Sequence, residues 1–280
     1  MLVQIPVYNE PLVVERALCR GGALDWPRDR LTIQLLDDST DTHLRHRRPC
    51  RSPACAREGI DADHVRRADR SGFKAGALAA GMALCDAPYV AVFDADFRAA
   101  ADWLRGAMAA MLAEPKAAFV QTRIEWGNGE RNWLTRAQRL MQDAHFAVEQ
   151  DVRARRGVPF QFNGTGGIWR RAAVEEAGGW SHDTLSEDLD LVLRTHLKGW
   201  RGVFLMEPHV VGRAAAEARR FQRPAEPLVE GLRAGGAQAA AADLEFRLVG
   251  RGQVHHHRGA GPAAHLSGPG RRRRGARSCR

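Results

Sequence analysis

The chain has 280 residues, enough for one large α/β domain, and its apolar fraction of 44% is that of a globular protein rather than a fibrous or wholly disordered one. The formal net charge of +9 at first points to nucleic acid, but residues 213–280 hold 14 Arg, no Lys and 5 acids, so residues 1–212 are neutral and nucleic acid is not expected as a partner. Five unevenly spaced cysteines without a C-x-x-C pair fit a reduced compartment and exclude a disulfide framework or a zinc knuckle.

The chain enters a strand-like run at once, so no signal peptide is expected. LVQIP (2–6) reads as a buried strand, and the spacing of Val14, Leu18 and Cys19 predicts a helix over 11–24. LTIQLL (31–36) is a second strand ending in acids, and 60–65 a weaker third. Residues 74–85 form an Ala-rich helix; YVAVF (89–93) is a fourth strand, again ending in acids. A helix over 99–113 and a strand over 118–122 follow. In the second half, 132–150 is a long amphipathic helix, 163–167 a flexible Gly-rich loop, 172–177 and 186–197 helices, and 202–206 a last short strand. This βαβα rhythm predicts an α/β fold with a mostly parallel central sheet flanked by helices. Ligands bind at the carboxyl ends of such strands, which is where Asp37, Asp38, Asp94 and Asp96 fall.

Two segments lack any periodicity. Residues 42–57 hold five Arg, two Pro and two Cys, and residues 213–280 form a basic low-complexity tail expected to be disordered. Two origins fit both: out-of-frame reading of a GC-rich gene, or authentic disordered sequence. His255, His256 and His257 in the tail read as solvated.

Four constellations carry possible chemistry. Asp37-Asp38-Ser39-Thr40-Asp41 supplies carboxylates able to accept hydrogen bonds from a base or ribose, or an ordinary turn. Asp94-Ala95-Asp96 puts two carboxylates within reach of one hard cation, Mg²⁺ or Mn²⁺, or is a polar loop with Asp96 capping the next helix. Ser186-Glu187-Asp188 reads as an N-cap with acids in the first turn, or sets Asp188 on a rigid helix start as a general base. Arg70 and Lys74, among glycines before a helix, suit phosphate or are a solvated loop. Trp126, Trp133, Trp169, Trp180 and Trp200 read mainly as core, with one or two on an acceptor path.

Together, VQIPVYNE (3–10), LDWPRDRLTIQLLDDSTD (24–41), SGFKAGAL (71–78), VFDADF (92–97), FNGTGGIWRR (162–171), EEAGGW (175–180) and SEDLDL (186–191) resemble the inverting family-2 glycosyltransferases, closest to cellulose-synthase-like β-mannan and glucomannan synthases and their bacterial relatives. The resemblance covers about residues 2–211 and implies a GT-A fold in a catalytic domain over 1–212. It implies a nucleotide-sugar donor (GDP-mannose or UDP-glucose), a polysaccharide acceptor and a Mg²⁺ or Mn²⁺ cofactor. It assigns Asp37 or Asp38 to the nucleotide, Lys74 to the donor side, Asp94 and Asp96 to metal and diphosphate, Asn163, Gly164 and Thr165 to the acceptor side, and Asp188 to the base with Glu187 beside it. The family acts at the cytoplasmic face of the inner membrane, held by membrane helices that this chain lacks, so the chain alone is expected to be soluble. The acceptor-binding Q-x-x-R-W element of processive members is also missing: Phe221-Gln222-Arg223-Pro224 lies near its place without matching it. The alternative expectation is therefore a catalytically impaired nucleotide-sugar-binding fragment.

Overall fold

A computed structural model of the chain describes residues 1–40, 62–181 and 186–217. The chain divides into a compact unit, Met1–Gly235, and a second, Gly236–Arg280; all described residues lie in the first. The expectations for residues 42–57 and for most of the tail fall outside the described residues.

The strands are β1 (Leu2–Val7), β2 (Thr32–Asp37), β3 (Ala62–Arg66), β4 (Tyr89–Val92), β5 (Arg98–Ala99), β6 (Ala117–Trp126), β7 (Gly167–Arg170) and β8 (Arg201–Gly212). They form one sheet in the order β3-β2-β1-β4-β7-β6-β8-β5. β1 pairs in parallel with β2 and β4, β2 with β3, and β6 with β8. β7 is antiparallel to both its neighbours, β4 and β6, and β5 is antiparallel to β8. The apolar runs of β1, β2, β4 and β6 are buried on both faces, as expected where helices cover a parallel sheet.

The helices are α1 (Pro11–Gly22), α2 (Phe73–Met82), α3 (Trp103–Ala113), α4 (Trp133–Ala144), α5 (Asp151–Arg155), α6 (Arg171–Glu176) and α7 (Glu187–Leu197). A π turn, His145–Gln150, joins α4 to α5, so the helix expected over 132–150 runs on to Arg155. Asn132 caps it: its side chain accepts from Thr135 N–H while the Thr135 hydroxyl accepts from Asn132 N–H.

Three expectations need correction. Gly167, read as the end of a loop, opens strand β7 (GIWR), whose remaining residues were assigned to no element; four residues are too few to show alternation. β6 and β8 run beyond 122 and 206 because they pair along most of their length, across two register shifts. Asp96 does not cap the next helix, since β5 intervenes and Asp102 holds that position. After β8, residues 214–216 return to α4: Ala214 N–H and carbonyl bond the Asn128 side chain, and Asn132 and Gln138 donate to the carbonyls of Ala216 and Ala215.

The direction of β7 is what builds the site. β1, β2 and β4 send their carboxyl ends to one edge of the sheet. An antiparallel neighbour delivers its amino end there instead, so the 163–166 loop meets Asp94 and Asp96.

Candidate active site

At the end of β2 both acids are tied down. Asp37 is buried, and its Oδ2 meets His64 Nε2 at 2.9 Å and the Arg66 guanidinium at 3.0 Å, while Oδ1 accepts from Ser39 N–H. Burial pushes its carboxyl up, but the bonds from His64 and Ser39 and the charge of Arg66 outweigh that and hold it at about 2. Asp38 takes a forked pair of bonds from Arg67, at 3.0 and 2.5 Å. Arg67 also donates to the carbonyls of Ser71 and Phe73, so one guanidinium joins the β2 end to the turn that opens α2.

That turn places Lys74 in the first turn of α2. Its ammonium lies 2.7 Å from Asp94 Oδ1 and 2.8 Å from the carbonyl of Gly164. Burial alone would lower the Lys74 pKa, but Asp94, and behind it Asp188, raise it. Arg70, three residues short of the helix, lays its guanidinium 3.4 Å from the centre of the Tyr8 ring.

The 163–166 loop is fastened from below. Gln121, buried in β6, donates to the carbonyls of Thr122, Thr165 and Gly166 and accepts from Asn163 N–H. The buried Thr165 hydroxyl accepts from Asp94 N–H at 2.9 Å. The Asn163 Nδ2 group is buried without a hydrogen-bond partner among the described residues. Gly164 has φ +70°, and a Cβ there would stand 2.8 Å from Asp188 Oδ2 and 3.1 Å from Lys74 Nζ. Only a residue without a side chain fits between the Asp188 carboxyl, the Lys74 ammonium and the loop.

Asp188 sits in the first turn of α7. Ser186 occupies the N-cap position, but its side chain makes no capping bond, contrary to the sequence expectation. Asp188 Oδ1 is buried and unpartnered among the described residues. Burial pushes the carboxyl up; Lys74 opposes, Glu187 and Asp94 reinforce, and the result is about 7. A carboxyl poised there can hold or release a proton at neutral pH.

On the other side of Asp94, burial and then Asp94 itself push Asp96 up, and Glu10, after β1, is pushed up by burial, Asp96 and Asp94. Three carboxyls thus repel one another at the strand ends, a charge pattern that a hard divalent cation relieves. No group of three His, Cys, Asp or Glu among the described residues could hold a metal unaided. Asp94 and Asp96 therefore fit an ion whose remaining ligands come from elsewhere, such as diphosphate and water. Arg20 donates to the carbonyls of Asp96 and Phe97, fixing this turn.

The structure thus gathers Lys74, Asp94, Gly164, Thr165 and Asp188, with Asp96 on the far side of Asp94 and Glu187 next to Asp188 in the chain. Asp37 stands with Arg66 at the end of β3 and Asp38 with Arg67 just beyond it. Sequence reasoning missed Glu10, Arg67 and Gln121; only Gln121, a polar residue inside the apolar run AAFVQT, carried a local signal. Of the five tryptophans considered, Trp169 is fully buried, Trp126, Trp180 and Trp200 pack partly buried against the core, and Trp133 is exposed.

A sheet of this order with acidic strand ends, a D-x-D turn and a carboxyl on a facing helix start is a GT-A domain. The same fold is found in mannosyltransferase PcManGT from Pyrobaculum calidifontis, solved with GDP-Man and Mn²⁺ (TM-score 0.59, 21% identity, 83% of this chain and 64% of that one). It recurs in residues 1–349 of S. aureus TarS (TM-score 0.53, 16% identity, 76% and 60%). Residues 89–225 match the profile described as glycosyl transferase family group 2, and the chain belongs to glycosyltransferase family 2. It is 42% identical over 210 residues to glucomannan 4-β-mannosyltransferase 9 of Arabidopsis thaliana, covering 73% of this chain and 39% of that protein. To glucomannan 4-β-mannosyltransferase 1 of Oryza sativa subsp. japonica it is 40% identical over 228 residues, covering 80% and 44%. The chain spans about two-fifths of the length of the curated relatives it matches.

Proposed function

We propose that this domain transfers a hexose with inversion from a nucleotide sugar to the end of a β-linked polysaccharide, with GDP-mannose favoured as donor over UDP-glucose. The observation that carries the reading is the meeting of Asp188, Lys74 and Asp94 around Gly164, three charged groups from separate elements at one edge of the sheet. The preference for mannose rests on the names of the curated relatives.

In this reading Asp188 accepts the proton of the acceptor hydroxyl. That oxygen bonds to the anomeric carbon as the bond to the nucleoside diphosphate breaks on the opposite face, which inverts the centre. Glu187 helps keep Asp188 basic, and Asn163, Gly164 and Thr165 form the floor on which the acceptor rests. Lys74 offers positive charge between donor and base, and Asp37 or Asp38 receives the nucleoside. Asp94 and Asp96 would hold Mg²⁺ or Mn²⁺, which neutralises charge on the diphosphate leaving group when bound. The domain boundaries follow the same reading, with catalysis confined to residues 1–212 and the basic tail outside it. Its place is at the cytoplasmic face of a membrane; no helix among the described residues is long and apolar enough to cross one.

The test is thermal unfolding with GDP-mannose, UDP-glucose and the free nucleotides, each with and without Mn²⁺, beside transfer of radiolabelled hexose to β-mannan oligosaccharides. A ligand at a hundred times its Kd adds about 2.7 kcal/mol. Stabilisation by a nucleotide sugar that needs Mn²⁺ is expected. Indifference to every nucleotide sugar would overturn the proposal.

A further inference from the structure

Lys74, Arg66, Arg67 and Arg20 all have partners at the acidic edge of the sheet. Lys74 lies on Asp94 and the Gly164 carbonyl, Arg66 on Asp37 and Arg67 on Asp38. Arg20 donates to the carbonyls of Asp96 and Phe97. Arg213 is different: it is exposed, and it makes no hydrogen bond or ion pair among the described residues.

The pairing of β5 with β8 puts this arginine beside Asp96. The two strands are antiparallel, with Ala99 opposite Val210 and Arg98 opposite Val211. Continuing that register sets Phe97 against Gly212 and then Asp96 against Arg213. The close approach at Gly212 bears out the first step: a Cβ there would stand 2.7 Å from the Phe97 ring and 2.8 Å from the Trp126 ring. The electrostatics agree with the second. Burial and the Asp94 charge push the Asp96 carboxyl up, and the Arg213 charge acts against them.

The backbone on either side of Arg213 is pinned. Gly127 N–H donates to the Gly212 carbonyl at 3.1 Å, and Ala214 N–H donates to the Asn128 side chain at 2.7 Å. Ala215 and Ala216 are held by Gln138 and Asn132. An anion arriving at Arg213 therefore orders one side chain rather than a loop.

The charge at this edge says which anion fits. Glu10, Asp94 and Asp96 repel a lone anion, but not one that shares a divalent cation with Asp94 and Asp96. A diphosphate has oxygens enough both to ligate such a metal and to accept a forked pair of bonds from a guanidinium.

We propose that Arg213 binds the diphosphate of the nucleotide sugar from the Asp96 side of the site and holds the nucleoside diphosphate as it departs. The inference rests on the proposed transferase reading, and it moves the C-terminal limit of the catalytic unit from residue 212 to residue 216.

The test is calorimetric titration of the full chain, and of Arg213→Ala and Arg98→Ala, with GDP and UDP in Mn²⁺, each beside its monophosphate. Binding of Mn²⁺ alone is followed by electron paramagnetic resonance. Arg213→Ala is expected to weaken the diphosphate that the parent prefers at least about tenfold, and the monophosphate much less. Arg98→Ala removes the neighbouring exposed arginine and should change either affinity less than about twofold. Mn²⁺ alone should bind Arg213→Ala as tightly as the parent or tighter, because a cation has left the vicinity of Asp96. The ligand-free Tm should be that of the parent, which shows that the variant folds. Unaltered diphosphate affinity, a loss shared equally by the monophosphate, or an equal loss in Arg98→Ala would overturn the proposal and leave the proposed function standing. A parent that binds neither diphosphate in Mn²⁺ would overturn both.

Discussion

Replacing Asp188 with Asn should abolish transfer and stabilise the protein, and the two effects share one cause. The carboxyl is held at about 7, against an ordinary value of 3.8. Its charged form is therefore disfavoured in the folded state. The sign follows: below the unfolded value both states carry the proton and the site costs nothing; between the two values the unfolded chain has released its proton while the folded one still holds it, so stability falls as pH rises and levels off above the folded value. Three pH units at about 1.4 kcal/mol each set a ceiling of about 4 kcal/mol for that cost above neutrality. The side chain is only partly buried, which reduces it, so a gain between about 1 and 4 kcal/mol is expected from Asp188→Asn at alkaline pH. For a domain of this size that is a rise in Tm on the order of 10 °C at most, shrinking to nothing near pH ~4. Transfer should fall about a hundred- to ten-thousand-fold, the usual worth of a general base. In the parent, kcat/KM should climb through a single ionisation near 7 on its acidic limb. Parallel melts of the two proteins across pH give the answer. A Tm difference that is flat with pH, or of opposite sign, would refute the claim that Asp188 is buried at a cost for the sake of its proton.

Asp37→Asn should act in the other direction: a carboxyl held at about 2 contributes stability that is present above its unfolded value and lost as pH falls through the folded one. A loss of about 2 kcal/mol in urea unfolding at neutral pH is expected, narrowing as the solution is acidified. Gly164→Ala forces a side chain into a left-handed φ of +70° and against Asp188; transfer should drop at least about tenfold, with about 1–2 kcal/mol of stability lost. Asp96→Asn should remove the Mn²⁺-dependent part of the nucleotide-sugar stabilisation in thermal melts while leaving the ligand-free Tm equal or higher, since burial and Asp94 already disfavour its charge.

Local pattern carried the parallel half of this fold. β1, β2 and β4 are short apolar runs closed by acids, and the carboxylates at their ends are named by adjacency alone. What adjacency cannot supply is partners from distant sequence. Arg66 and Arg67 look like solvated charges until β3 sets them against Asp37 and Asp38. Lys74 was legible as a cation before a helix, but not as the bridge from Asp94 to the Gly164 carbonyl. β7 was missed because Gly167–Arg170 is a strand only by virtue of the two neighbours that flank it. That the helix after β6 leaves Trp133, Leu140 and Met141 exposed was hidden for a related reason. Its amphipathic period is plain, but period alone does not say which side meets the protein.

The reversal of β7 also limits how this domain can be cut or rearranged. Lys74 and Asp94 come from the first hundred residues, and Asn163, Thr165 and Asp188 from the second. Yet the Asp94 amide closes on the Thr165 hydroxyl, and the Lys74 ammonium on the Gly164 carbonyl. The two stretches are stitched rather than stacked, so neither fragment alone would contain half an active site. Severed at the 127–132 turn, they should regain a working centre only when β7 slots back between β4 and β6.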